Sequence, residues 1–337
     1  MNPQMKRLLL VWGLLSLAAC SGSMGVPRPY VPAVGGWIPE EATIKPVGLG
    51  IPGGAALAPG VAFAGGIEIV APAGSPLHSL SDLKLTGDGG FVSVSDVGDL
   101  VRAELRLDAQ GRLTGIDGAR TRRLTLADGT PIQDKFEGDA EGLTLLDDGE
   151  LLVSFERDHR IWNYGPLSAL RDPVPAAKPD FPFPENDGME GLTAAPHGWR
   201  VNGESGGVWD CTPRACTVVT APPTPLLRDS DYRITGMDRD PNGGWFLVQR
   251  SYAPPIDARA RVRRMAADGT LGPVLIELKL PGTTDNFEGI AAETRSGPQG
   301  ERTRIYILSD DNFSAAQRTL MLAFDVTSSD RSGATRP

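Results

Sequence analysis

One triplet, Glu-Gly followed by an aliphatic residue, occurs three times: Glu141-Gly142-Leu143, Glu190-Gly191-Leu192 and Glu288-Gly289-Ile290. Thr235-Gly236-Met237 is a looser copy, and Ser81-Asp82-Leu83 precedes them all. The intervals between these five places are 60, 49, 45 and 53 residues. Self-similarity at such a period marks a repeat architecture, because each unit leaves an apolar face that only its neighbour can cover.

Each unit reads as strands. In the second, Gly142 to Leu146 is a short strand, Asp147-Asp148-Gly149 a hairpin turn, Leu151 to Glu156 a strongly apolar strand and Arg160 to Tyr164 a third. The other units have matching second strands at Phe91–Ser95, Trp199–Asn202, Trp245–Val248 and Arg304–Leu308. Third strands are expected at Leu100–Leu107, Arg261–Met265 and Thr319–Val326, and fourth strands at Arg122–Leu126, Cys216–Thr220 and Pro273–Leu278. Four-stranded units of this length fit an all-β fold: a single β-propeller of five or six four-stranded blades. The last unit lacks a fourth strand of its own, and the early segment Ile67–Val70 is expected to supply it and close the ring. A β-sandwich would not explain the repeats, and the coils of a β-helix are shorter. The 41 Gly and 29 Pro agree with many turns and few long helices.

The chain starts with Lys6-Arg7, an apolar run from Leu8 to Leu17, and Leu17-Ala18-Ala19-Cys20. A basic head, a short apolar run and small residues before a cut form a secretory signal, and the run is too short to span a bilayer. Leu-Ala-Ala-Cys resembles the lipobox of bacterial lipoproteins, which implies cleavage before Cys20 and lipid on its thiol. By analogy with Gram-negative sorting, Ser21 rather than Asp points to the periplasmic side of the outer membrane. Residues 1–19 are thus read as leader, 20–62 as a Gly/Pro-rich tether, 63–327 as the folded body and 328–337 as a tail. Cys211 and Cys216 remain, flanking a turn-like Thr-Pro-Arg-Ala, and an even pair in an oxidising compartment reads as a disulfide.

The whole chain carries a net charge of −9, and loss of Lys6 and Arg7 would take it to about −11. Such a surface repels nucleic acid and attracts cations. The expected partners are a small-molecule ester and, through the lipid on Cys20, a membrane; the body is read as a monomer.

In a propeller the first strand of each blade lines the central channel, so Glu141, Glu190 and Glu288 would converge at one mouth. Asp96, Glu156, Glu204 and Asp310 end the second strands nearby, with Asp139, Asp285 and Asp311 close in sequence. Crowded carboxylates need a cation, hydrogen bonds or raised pKa values. Hard oxygen ligands suit Ca²⁺ or Mg²⁺, with Ca²⁺ the expected ion, and such an ion polarises an ester and acidifies an attacking water. Glu141, Glu190 and Glu288 are therefore the candidate catalytic groups. Those three with Glu156 and Asp310 are the candidate ligands, and Arg157 and Arg250 the candidate substrate clamps.

The segments Asp139–Leu143 and Leu151–Ile161 are similar to the phytase-like family described as having esterase-like activity of phytase. Asn286–Ile290, Ile305–Asn312 and Leu320–Val326 are similar to its C-terminal part. The resemblance spans about residues 65–326 and implies an exported bacterial propeller with phosphate-ester or carboxyl-ester hydrolysis. Two positions depart from the pattern: Asp82 stands where the family has Gly, and Thr235 where it has Glu.

Two other motifs fail on context. Gly203-Glu204-Ser205-Gly206-Gly207 satisfies G-x-S-x-G, but a strand rather than a helix is expected after it, and all three His precede Ser205. Pro196-His197-Gly198-Trp199-Arg200 lacks the leading Arg of the histidine acid phosphatase motif. With no clean nucleophile–base pair, a non-catalytic propeller that binds a ligand or an envelope partner stands as the rival reading.

Overall fold

The computed structural model describes residues 36–254, 257–297 and 300–327. The leader, Cys20 and the tail 328–337 lie outside the described residues. The fold is all-β. Among the described residues, α-helix is confined to one turn, Lys135–Gly138, capped by the Asp134 side chain.

Antiparallel units of four main strands, sheets 1 to 5, follow one another along the chain; short strands add to some of them, and a single parallel bridge joins the first and last into one ten-stranded sheet. Sheet 1 contains Leu80–Leu85, Gly90–Ser95, Asp99–Leu107 and Leu113–Arg123. Sheet 2 contains Ala140–Leu145, Glu150–Phe155, Arg160–Pro166 and Val174–Ala176. Sheet 3 contains Met189–Ala195, Gly198–Gly203, Val208–Cys211 and Cys216–Thr220. Sheet 4 contains Arg233–Arg239, Trp245–Ala253, Asp257–Met265 and Leu271–Lys279. Sheet 5 takes Asn286–Gly297, Gly300–Asp310 and Leu320–Thr327 from the end of the chain and Val61–Val70 from its start. A parallel bridge, Gly65 to Leu113, joins sheet 5 to sheet 1.

The second strands read as unbroken apolar runs because both of their faces are buried. Val92 and Val94 face sheet 2, whereas Phe91 faces sheet 5. Leu151, Val153 and Phe155 face sheet 1, whereas Leu152 faces sheet 3. Phe246 and Val248 pack towards sheet 5, and Leu247 towards sheet 3. The core is thus divided into slabs, each wedged between two neighbouring sheets. The first strands pack side by side in the order of sheets 1, 2, 3, 4, 5 and back to 1.

Glycine in the repeated triplet serves this close approach. A Cβ on Gly142 would lie 2.5 Å from the Glu190 carbonyl oxygen, and one on Gly236 only 2.0 Å from that of Glu288.

Three expectations change. The tether is shorter than the composition suggested: Ile38–Pro39 pairs with sheet 1, Thr43–Pro46 with sheet 5 and Ala55–Leu57 with the edge of sheet 4. These strands are two to four residues long and largely exposed, so they lack the apolar periodicity that marks a core strand. The closing strand is longer than Ile67–Val70, starting at Val61. The fourth strand of sheet 1 is Leu113–Arg123, not Arg122–Leu126; the chain reverses early, at the Asp108–Gly111 turn. The disulfide Cys211–Cys216 is present and closes the hairpin of sheet 3.

Candidate functional site

The first residue of every triplet is a β-bulge. Gly142 pairs with Ser154 and Ala140 with Phe155, which leaves Glu141 as the extra residue. Glu190 is skipped between Met189 and Gly191, and Glu288 between Phe287 and Gly289. Thr235 and Ser81 are skipped in the same way. A bulge breaks the strict alternation of side chains and re-aims the inserted one. Here it turns three glutamates towards one end of the ring of first strands, where the second strands finish. All three are buried, at 9%, 5% and 6% relative exposure for Glu141, Glu190 and Glu288.

The acidic half of the site gathers Asp139, Glu141 and Glu156, whose carboxylate oxygens lie within 4.8 Å of one another. Asp139 is fully buried and is gripped by Arg157 Nε at 2.5 Å and by Lys135 Nζ at 2.8 Å. Lys135 also pairs with Asp96. The other half is organised by arginine. Arg250 contacts Glu204 at 3.0 Å, Glu288 at 3.4 Å and the Asn286 side-chain oxygen. Arg233 shares Glu204 at 2.6 Å and also pairs with Asp187 and Asp229. Asn286 Nδ2 donates to Glu288 at 2.8 Å and to Asp310 at 3.4 Å. Glu190 lies between the halves, and its Oε2 is buried without a hydrogen-bond partner.

Burial is the main cause that raises the pKa of these acids, and their neighbours' charges add to it. Glu141 is raised well above the usual carboxylate range by desolvation, then by Asp139, Glu190 and Glu156. Glu190 is raised by desolvation, then by Glu204 and Glu288, with Glu156 adding to it. Glu288 is raised by desolvation and Asp310. Desolvation and Asp139 push Glu156 up to about 8. Desolvation lifts Glu204 to about 7 even though Arg250 and Arg233 oppose it. Asp310 is also lifted to about 7, by desolvation and Asp96. Carboxylates from several sheets thus feel one another's charge.

Below the mouth the ring is filled. Asp82, at the glycine position of sheet 1, is fully buried. Its oxygens accept from the backbone N–H groups of Leu143 at 3.1 Å and Leu83 at 2.8 Å, and from Lys84 Nζ at 2.7 Å. The departure from glycine therefore puts an ion pair among the first strands, and burial holds Asp82 at about 7 despite Lys84.

The candidate glutamates do converge, but the five candidate ligands do not form one cluster. Asp139 joins Glu141 and Glu156, while Glu288 and Asp310 belong to the asparagine and arginine half. Arg157 and Arg250 are not free clamps; each is already bound to carboxylates. Arg233, one of the arginines the sequence offers near the mouth, joins the site, and so do Lys135 and Asn286, which the sequence does not mark as site residues. Asp139 and Asn286 both stand two residues before a bulged glutamate, a spacing visible in the sequence. Lys135 has no repeat signal, because it sits on the connection between sheets 1 and 2. His159 bonds to the Pro184 carbonyl and packs on Phe183, and Arg318 pairs with Asp285. Ser205 is buried with no hydrogen bond to its Oγ, and strand Val208–Cys211 follows it. His197 lies at the turn before Gly198, at the far end of its sheet.

The family model for phytase-like proteins, described as esterase-like activity of phytase, matches residues 75–313. The chain belongs to this family. No curated protein matches it. Among solved structures it is similar to a protein provisionally assigned as a gluconolactonase, at 14% identity and a TM-score of 0.42, covering 89% of this chain and 98% of that one. It is similar to the Malassezia sympodialis allergen Mala s 1 at 13% identity and a TM-score of 0.42, covering 82% and 92%. It is similar to the aldose sugar dehydrogenase of Streptomyces coelicolor at 12% identity and a TM-score of 0.38, covering 86% and 100%.

Proposed function

We propose that this phytase-like chain is an exported, cation-dependent hydrolase of phosphate esters, working at the acidic mouth of a five-bladed propeller. The five sheets are the blades, and Val61–Val70 closes the ring. The observation that carries the site is Glu190: a buried carboxyl with an unpartnered oxygen, close enough to Glu141 and Glu156 of the acidic cluster to feel their charge. Three oxygen donors within 4.8 Å fit one Ca²⁺, since two ligands of the same ion sit up to about 5 Å apart. Asp139, Glu141 and Glu156 would hold the ion, which supplies charge to polarise a phosphoryl oxygen and acidify a water.

The chain's own residues account for the rest. Glu190, protonated through burial, supplies a proton to the departing alkoxide. Arg250, braced by Glu204 and Asn286, orients the phosphate through its remaining N–H groups. The ester and one water become an alcohol and a free phosphate. The body is a monomer, tethered by lipid on Cys20 to the periplasmic face of the outer membrane, with no role in nucleic-acid binding.

One observation favours the rival, a non-catalytic binder: Arg157 and Arg250 already have carboxylate partners. A panel of phosphate and carboxyl esters, assayed with Ca²⁺ and with chelator, separates the two. Turnover that needs Ca²⁺ and is lost in Glu141→Gln and Glu288→Gln, with folding intact, supports the hydrolase. Calcium binding without turnover on any ester supports the binder.

A further inference from the structure

The acidic cluster already contains a cation of its own. Lys135 opens the short helix Lys135–Gly138 and sends its ammonium group inward to Asp96 and Asp139. Asp139 is one of the three clustered carboxylates, so the ammonium and a divalent ion would compete for the same oxygens. The carrier is lightly attached. Ile132 and Gly138 are buried anchors, whereas Gln133, Asp134 and Phe136 between them are exposed, Phe136 at 62%. Apart from the helix's own capping bond, the segment is held mainly by the Lys135 ion pairs and a bond from Arg160 to the Glu137 carbonyl.

We propose that Lys135 is a built-in counter-ion of the mouth, which a divalent cation must displace, so that metal binding releases the strap 133–137 from the acidic cluster. This rests on the metal reading above and deepens it. Asp139 would be shared between two states: closed with Lys135, open with the metal. Arg157 holds the other oxygen of Asp139 throughout and keeps the carboxylate in place. Two cations of total charge +3 on one small cluster repel strongly in a buried setting, so removal of the ammonium should tighten metal binding at least about tenfold.

The test uses Ca²⁺ alone as the probe on the wild type and on Lys135→Gln, Lys135→Met and Lys135→Arg. Calorimetry should show both neutral variants binding Ca²⁺ at least about tenfold tighter, with Lys135→Arg close to the wild type. Limited chymotrypsin digestion at Phe136 gives a second readout. Ca²⁺ should accelerate that cut in the wild type, and Lys135→Gln should be cut quickly with or without it. Equal Ca²⁺ affinity in wild type and Lys135→Gln, or a cut at Phe136 that Ca²⁺ slows, would overturn the displacement and leave the metal site standing. Absence of Ca²⁺ binding in every protein would sink the metal site itself, and this inference with it.

Discussion

Replacing Glu190 by glutamine should make the metal-free protein less sensitive to alkaline pH. Its folded-state pKa is raised by burial and by Glu204, Glu288 and Glu156. Below the ordinary glutamate value of 4.5 both folded and unfolded chains carry the proton, so the group contributes nothing to pH dependence. Above it the unfolded chain ionises first, and stability falls as pH rises, by about 1.4 kcal/mol per pH unit for one retained proton. Between pH 5.5 and 8.5 this one group therefore costs up to about 4 kcal/mol, which glutamine would not. Glutamine has the same shape, and its amide can donate to a neighbouring carboxylate. Urea denaturation in chelator at both pH values measures the effect. The wild type should lose more stability than Glu190→Gln over that interval, by at most about 4 kcal/mol. Parallel losses, within about 0.5 kcal/mol, would refute the claim that Glu190 holds a proton because of where the bulge puts it.

Other expectations follow from single features. Gly236→Ala should destabilise by about 3 kcal/mol or more, since its Cβ would sit 2.0 Å from the Glu288 carbonyl oxygen. Urea denaturation measures this, and a loss below about 1 kcal/mol would contradict the close approach of the first strands. Opening the Cys211–Cys216 loop by a double Ser substitution should cost about 2 kcal/mol by loop-closure entropy and leave the mouth's activity intact. The same denaturation assay with a turnover assay checks both. Cys20→Ser should move the protein from the membrane to the soluble fraction on cell fractionation.

The repeated triplet made the strand order legible, because apolar second strands buried on both faces stand out as runs such as Leu151–Phe155. It also located Glu141, Glu190 and Glu288, whose common offset comes from one bulge per unit. The bulge itself was not legible: an inserted residue leaves no mark in an apolar pattern interrupted by Glu-Gly. Nor was Lys135, since a side chain on the connection between two sheets follows no period. Arg250 could be placed near the mouth by register, but not its partners Glu204, Asn286 and Glu288, which come from neighbouring sheets. The short strands at 38–57 were hidden for another reason. They pair at sheet edges through backbone groups, and Gly/Pro-rich sequence gives no alternation to read.

The central claim is that the mouth's carboxylates hold protons which a divalent cation replaces. Calcium titration of the metal-free protein near pH 7, in two buffers of different ionisation enthalpy, measures binding and proton release together. Burial and Asp139 push Glu156 up to about 8, so Ca²⁺ bound there is expected to drive protons off the cluster. The account expects saturable binding with release of roughly one proton or more per ion, strengthening as pH rises and abolished in Glu141→Gln. Binding with no proton release, or no binding at any pH between 6 and 9, would contradict it.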